Sequence, residues 1–108
     1  MLKVVTKNFG HTAILCVHGS ITIGETGALR NAVEVASPAN SLILDMAHVS
    51  LIDAHGLGVL LELRARSETK GIGFKLMNVT KPVSHVFELT RLNTVFELIS
   101  EPEFSAAA

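Results

Sequence analysis

A chain of 108 residues holds enough apolar side chains for one hydrophobic core without disulfide or metal staples, and no second core fits, so a single domain over 1–108 is expected. Nine basic residues against ten acidic ones give a formal net charge of -1, which leaves no basic stripe for nucleic acid. The hydrophobic share is 48% and the charged share only 18%, so part of the apolar surface is available to a partner.

Residues 1–8 carry Lys3 and Lys7 but no continuous apolar run behind them, which excludes a signal peptide. Nor does any apolar stretch approach the roughly 18 residues of a membrane helix. A cytoplasmic protein without membrane insertion is therefore expected. Residues 2–9 (LKVVTKNF) place Leu2, Val4 and Val5 among polar neighbours, and Gly10-His11 follows as a turn. That pattern predicts an edge strand. Residues 12–18 (TAILCVH) predict a second strand that stops at Gly19 and pairs with the first as an antiparallel hairpin. Cys16, the one cysteine, lies inside this apolar run, where it reads as a small core side chain.

From Thr22 the period changes. Ala28, Leu29, Ala32, Val33 and Ala36 recur at three and four, a helical spacing that Ser37-Pro38 should close. Residues 41–46 (SLILDM) form a short, unbroken apolar run that suits a strand buried on both faces of a partly parallel sheet. A short loop ending at Asp53 then leads into a helix that runs to about Lys70, with Gly71 as its left-handed cap. Residues 73–79 (GFKLMNV) predict the next strand, completing a strand–helix–strand crossover. Thr80 as N-cap and Pro82 in the first turn open a helix through Val83, Val86, Phe87 and Leu89. Residues 94–99 (TVFELI) predict a short last strand, 101–108 a terminal helical turn, and 106–108 a frayed end. The expected fold class is α/β, a mixed sheet of four to five strands flanked by helices.

The crossing from strand to helix is the most informative stretch. Glycine costs roughly 1 kcal/mol relative to alanine in a helix interior. Gly56 and Gly58 both sit at the start of this helix. Either the helix packs closely on a neighbouring strand there, or bare backbone is needed by an anion or a partner. At 100° per residue Gly56, Val59, Leu60 and Leu63 share one side and should face the sheet. Leu57 and Leu61 lie around from it, so either another helix covers them or they form an exposed apolar ridge. Asp53 is placed to cap the helix and oppose its positive end.

The segment LDMAHVSLIDAHGLGVLLELR resembles the signature of STAS domains of the SpoIIAA-like anti-sigma-factor antagonist family, in which an apolar strand leads to an Asp-Ser-Ser-Gly-Leu-Gly-like turn and helix. The likeness extends along the chain. Residues 17–22 (VHGSIT) resemble the family's Gly-Glu-Leu-Asp strand end, and 80–87 (TKPVSHVF) its Ser-Pro-x-Val helix. The resemblance implies a regulatory, non-enzymatic docking module whose partner is an anti-sigma factor with a serine-kinase fold. Docking would use Asp53, Ala54, His55, Gly56, Leu57, Gly58 and Leu61. In that family the serine before the first glycine is phosphorylated by the anti-sigma kinase, which blocks docking. Here His55 stands at that position and Ala54 at the neighbouring serine, while Ser20 and Thr22 replace the acidic pair. The serine switch is therefore expected to be absent or moved, with an imidazole standing in its place. A scaffold role in a stressosome, or in a lipid or anion transporter complex, is the alternative the substitution leaves open.

No other chemistry competes. His11, His18, His48, His55 and His85 show no zincin spacing and no cysteine pair accompanies them, so no metal is expected. Gly71-Ile72-Gly73 lacks the rest of a dinucleotide fingerprint, and no P-loop lysine follows a glycine run. Ser84 and His85 are neighbours on a helix and face apart, which removes a catalytic serine pair. Neither cofactor nor catalytic residue is implied.

Overall fold

The strand sequence sets one sheet in motion from the N-terminus. In the computed structural model, which describes residues 1–36 and 39–100, β1 (Lys3–Phe9) pairs antiparallel with β2 (Thr12–Ile21) across the turn at Gly10, whose φ is +61°. The chain then forms α1 (Gly27–Val35), β3 (Ser41–Ile52), α2 (Ala54–Thr69), β4 (Gly73–Met77), α3 (Lys81–Thr90), a 3-10 turn (Leu92–Thr94) and β5 (Glu97–Ile99). Strand order across the sheet is β1-β2-β3-β4-β5, with every pair after the first hairpin parallel. It is a five-stranded mixed α/β sheet, as the sequence pattern predicts. The Ser37-Pro38 stop and the terminal turn at 101–108 lie outside the described residues.

Alternation along the strands divides the apolar side chains between two faces. Ala13, Leu15, Val17 and Ile21 of β2, Leu42, Leu44, Met46, Val49 and Ile52 of β3, and Leu76 of β4 join one large buried cluster. All three helices contribute to it, through Leu29 and Val33, through Val59, Leu60 and Leu63, and through Val83 and Phe87. Ile14, Ile43 and Met77 form a smaller cluster on the opposite face, and Cys16, half-buried instead of in the core, packs against it with its thiol 4.0 Å from Asp45 Oδ2.

Two strands run further than the pattern suggests. β2 continues past Gly19 to Ile21 and β3 past Met46 to Ile52. At Gly19 the backbone adopts φ +118° and a Cβ would collide with the carbonyl oxygen of Met1, so glycine passes through the sheet where another residue would not. In β3 the positions that join the large cluster go 42, 44, 46, then 49 and 52, because the register with β2 shifts between Cys16 and His18 and again between Gly19 and Ser20. Each shift absorbs one extra β3 residue, as a bulge does. His18 and His48 meet at the first of them, rings stacked with centroids 4.6 Å apart.

Later elements follow expectation with smaller differences. β4 ends at Met77, where Asn78 turns the chain with φ +58°. Thr80 stands at the N-cap of α3, but its hydroxyl donates to the Val49 carbonyl at 2.8 Å instead of capping. Of the last strand expected at 94–99 only Glu97–Ile99 forms β5, Thr94 being the end of the 3-10 turn, and Leu89 of α3 is 72% exposed.

Candidate functional site

Because β2 and β3 are parallel, their ends and the start of α2 come together on one edge of the sheet. Asp53 organises that edge. Its backbone is extended, and its Oδ1 accepts from the Gly56 N–H at 2.8 Å, the N-cap geometry that satisfies one orphan donor of α2. The second oxygen, Oδ2, accepts from the Ile23 N–H at 3.0 Å. One carboxylate thus ties the loop after β2 to the first turn of α2. These two bonds, Gly56 first and Ile23 second, hold the carboxyl below the ordinary aspartate range, with the nearby His55 imidazole acting in the same direction.

Of the residues expected to dock a partner, Ala54, His55, Gly58 and Leu61 are exposed and Asp53 is half-buried. Gly56 and Leu57 are not on the surface. Leu57 is only 8% exposed and belongs to the large core cluster, so the apolar ridge reduces to Leu61, at 36%. Gly56 is required by packing: a Cβ there would collide with the carbonyl oxygen of Ile21 and press on the Ile52 side chain. Gly58 has no such reason, since nothing lies within 4 Å of where its Cβ would be. The two glycines answer the packing question in opposite ways.

A second layer lies between α1 and α2 and has no signature in the sequence. Thr26, the residue before α1, is 4% exposed, and its Oγ1 lies 3.4 Å from His55 Nε2. Arg30 donates from Nη1 to that same Oγ1 at 3.3 Å, and from Nε and Nη2 to the two oxygens of Glu62, both at 3.3 Å. The guanidinium holds the Glu62 carboxyl below the ordinary range. Since arginine can only donate, the threonine oxygen accepts from it, and the direction of its contact with the imidazole follows the histidine tautomer. Ile23, Thr26, Arg30 and Glu62 were not legible as site residues because their partners are about thirty positions away in the chain.

Ser20 and Thr22 are half-buried in the strand end and the loop, and Ser50 is exposed on β3. Neither Ala54 nor His55 offers a hydroxyl. Among the described residues no three His, Cys, Asp or Glu side chains converge as a metal set, and no helix is long and apolar enough to cross a membrane.

The edge just described, an acid-capped helix with a Gly-Leu-Gly start leaving a parallel strand, is that of a STAS domain. The STAS domain family model matches residues 3–104, and the chain belongs to that family. Solved structures agree in fold. The Thermotoga maritima protein TM1081 superposes with a TM-score of 0.85 at 20% identity, covering 96% of this chain and 92% of that one. The anti-sigma factor antagonist SpoIIAA in its unphosphorylated form gives 0.76 at 18%, covering 94% and 91%. A sulfate transporter family protein from Wolinella succinogenes gives 0.68 at 22%, covering 79% and 70%.

Proposed function

We propose that this STAS domain is a cytoplasmic docking module of the anti-sigma-factor antagonist type, which binds a serine-kinase-fold anti-sigma factor and thereby regulates transcription without catalysing a reaction. The observation that carries the reading is the edge where Ala54, His55, Gly58 and Leu61 stand exposed on a helix start that Asp53 holds in place. SpoIIAA, an anti-sigma factor antagonist of the same fold, supports the choice of partner. Leu61→Asp tests it, because a half-exposed position accepts the charge without unfolding while a docking partner does not. Calorimetric titration of the purified anti-sigma factor should show binding at least about tenfold weaker, a loss of roughly 1.4 kcal/mol. Unchanged affinity would count against the site.

A scaffold role in a stressosome or a transporter complex is the second reading. It is favoured by the missing hydroxyl at 54 and 55 and by the fold shared with the Wolinella protein. Co-purification with transporter subunits, and indifference to anti-sigma factors, would select it.

A further inference from the structure

β1 is an outer strand whose backbone is only half used. The two-residue turn at Gly10 and His11 closes on the Phe9–Thr12 pair, so the peptide groups of Lys3, Val5, Lys7 and Phe9 point into the ladder with β2. Those of Val4, Thr6 and Asn8 point the other way, and among the described residues no strand or turn pairs with them on that side. Such an edge is a template for a further strand.

The side chains determine which strand fits. Those of Lys3, Val5, Lys7 and Phe9 share the sheet face of Ile14 and Cys16, and Val5 and Phe9 are 40% and 56% exposed. A second copy, related by a two-fold axis normal to the sheet, lays β1 antiparallel to β1. Like charges directly opposite each other are destabilising, which removes two registers. Centring on Val5 sets Lys3 against Lys7 of the second copy, and centring on Lys7 sets that lysine against itself. Centred on Thr6, the whole strand pairs: Thr6 meets Thr6, Val4 meets Asn8, Val5 meets Lys7 and Phe9 meets Lys3. Every outward peptide group then finds another outward one, and the lysine stems cover Val5 and Phe9 while their ammonium groups stay in water.

The helical layer fits the same arrangement. Arg30 and Glu34 occupy the flank of α1 that meets α2. At 100° per residue Ala28, Ala32 and Val35 share the opposite flank, which looks out past β1, and Val35 is 81% exposed. Since α1 lies over β1 and β2, a strand spacing of about 4.8 Å would set the two α1 helices roughly 10 Å apart, a distance at which helices pack through small side chains.

We propose that β1 is a self-association edge, on which a second copy of this chain pairs antiparallel about Thr6 to join the two sheets into one, with the α1 flanks packed above the seam. The inference stands apart from the docking reading, because it uses no residue of the α2 start and leaves that edge open in both copies.

Sedimentation equilibrium of the purified chain should show a monomer–dimer equilibrium with a dissociation constant of about 100 µM or tighter. Above that concentration amide hydrogen exchange should slow at least about threefold at Val4, Thr6 and Asn8, and change little at Val5 and Lys7, whose amides already bond β2. Val5→Lys, which sets lysine against Lys7 twice per dimer, should weaken association about tenfold, whereas Val5→Glu should strengthen it. Circular dichroism melting below the dissociation constant checks that both variants fold. Equal dimerisation of the two variants, protection that does not alternate along β1, or a chain still monomeric at about 1 mM would each overturn the proposal.

Discussion

Asp53 uses both carboxylate oxygens on backbone amides, and an asparagine could keep only one of those bonds because its amide nitrogen cannot accept. Since the folded-state pKa lies below the unfolded one, the carboxylate stabilises the fold above the unfolded value. That contribution is lost as pH falls through the lowered folded value. The native chain should therefore exceed Asp53→Asn in urea stability by a constant margin above about pH 5, and the margin should shrink below about pH 4. A margin independent of pH would show that the charge is not involved. The two glycines separate at this scale as well. Gly58→Ala should stabilise the chain by about 1 kcal/mol, a rise of at least about 4 °C in melting temperature, because only helix propensity changes. Gly56→Ala should cost about 1–3 kcal/mol from the collision with the Ile21 carbonyl. If Gly58 is kept bare for a partner, the stabilised variant docks less tightly.

Between elements, the Arg30–Glu62 pair joins α1 to α2 in a bidentate geometry, yet each side chain is 38% exposed. Screening by water limits such a pair to about 1 kcal/mol or less. Arg30→Ala should nonetheless destabilise more than Glu62→Ala, because it also removes the donor to the buried Thr26 hydroxyl. Chemical denaturation of the two variants checks the order, and equal losses would mean that Thr26 finds water instead. The elements also show what could be read in advance. α2 was legible at both ends, since Asp53 and Gly71 are unambiguous boundary residues and its inward side was correctly phased. The second half of β3 was not. A strand announces itself by a period of two, and burial at 46, 49 and 52 has a period of three, so AHVSLI reads as loop. Leu57 was left open between covered and exposed for a related reason: helical phase gives direction, but not what lies in that direction, and here the core extends around to meet it.

For the whole molecule, the first hairpin and the strand–helix–strand crossover could be read from the chain because hydrophobic blocks and turn residues are local signals, and the family from the resemblance carried by residues 44–64. The α1–α2 layer could not, since hydrogen bonds spanning about thirty residues leave no spacing to read. The absence of a hydroxyl at 54 and 55 was visible at once. Within 50–60 the only hydroxyl is Ser50, on β3 and not on the helix. Incubation with the cognate anti-sigma kinase and ATP should leave this segment unmodified by mass spectrometry. Phosphoserine at Ser50 would mean that the switch has moved one strand upstream.

β3 has twelve residues where β2 has ten, yet both ends of the pair are level, Thr12 beside Ser41 and Ile21 beside Ile52. Were β3 straight, its surplus would carry Asp53 roughly 7 Å beyond the end of β2, at about 3.3 Å per residue. The Ile23 amide, now 3.0 Å from that carboxylate, would be out of reach. The two kinks in the middle strand thus act as a length adjuster, and the alignment of the outward-facing edge is stored inside the sheet, where mutation of the loop itself cannot erase it.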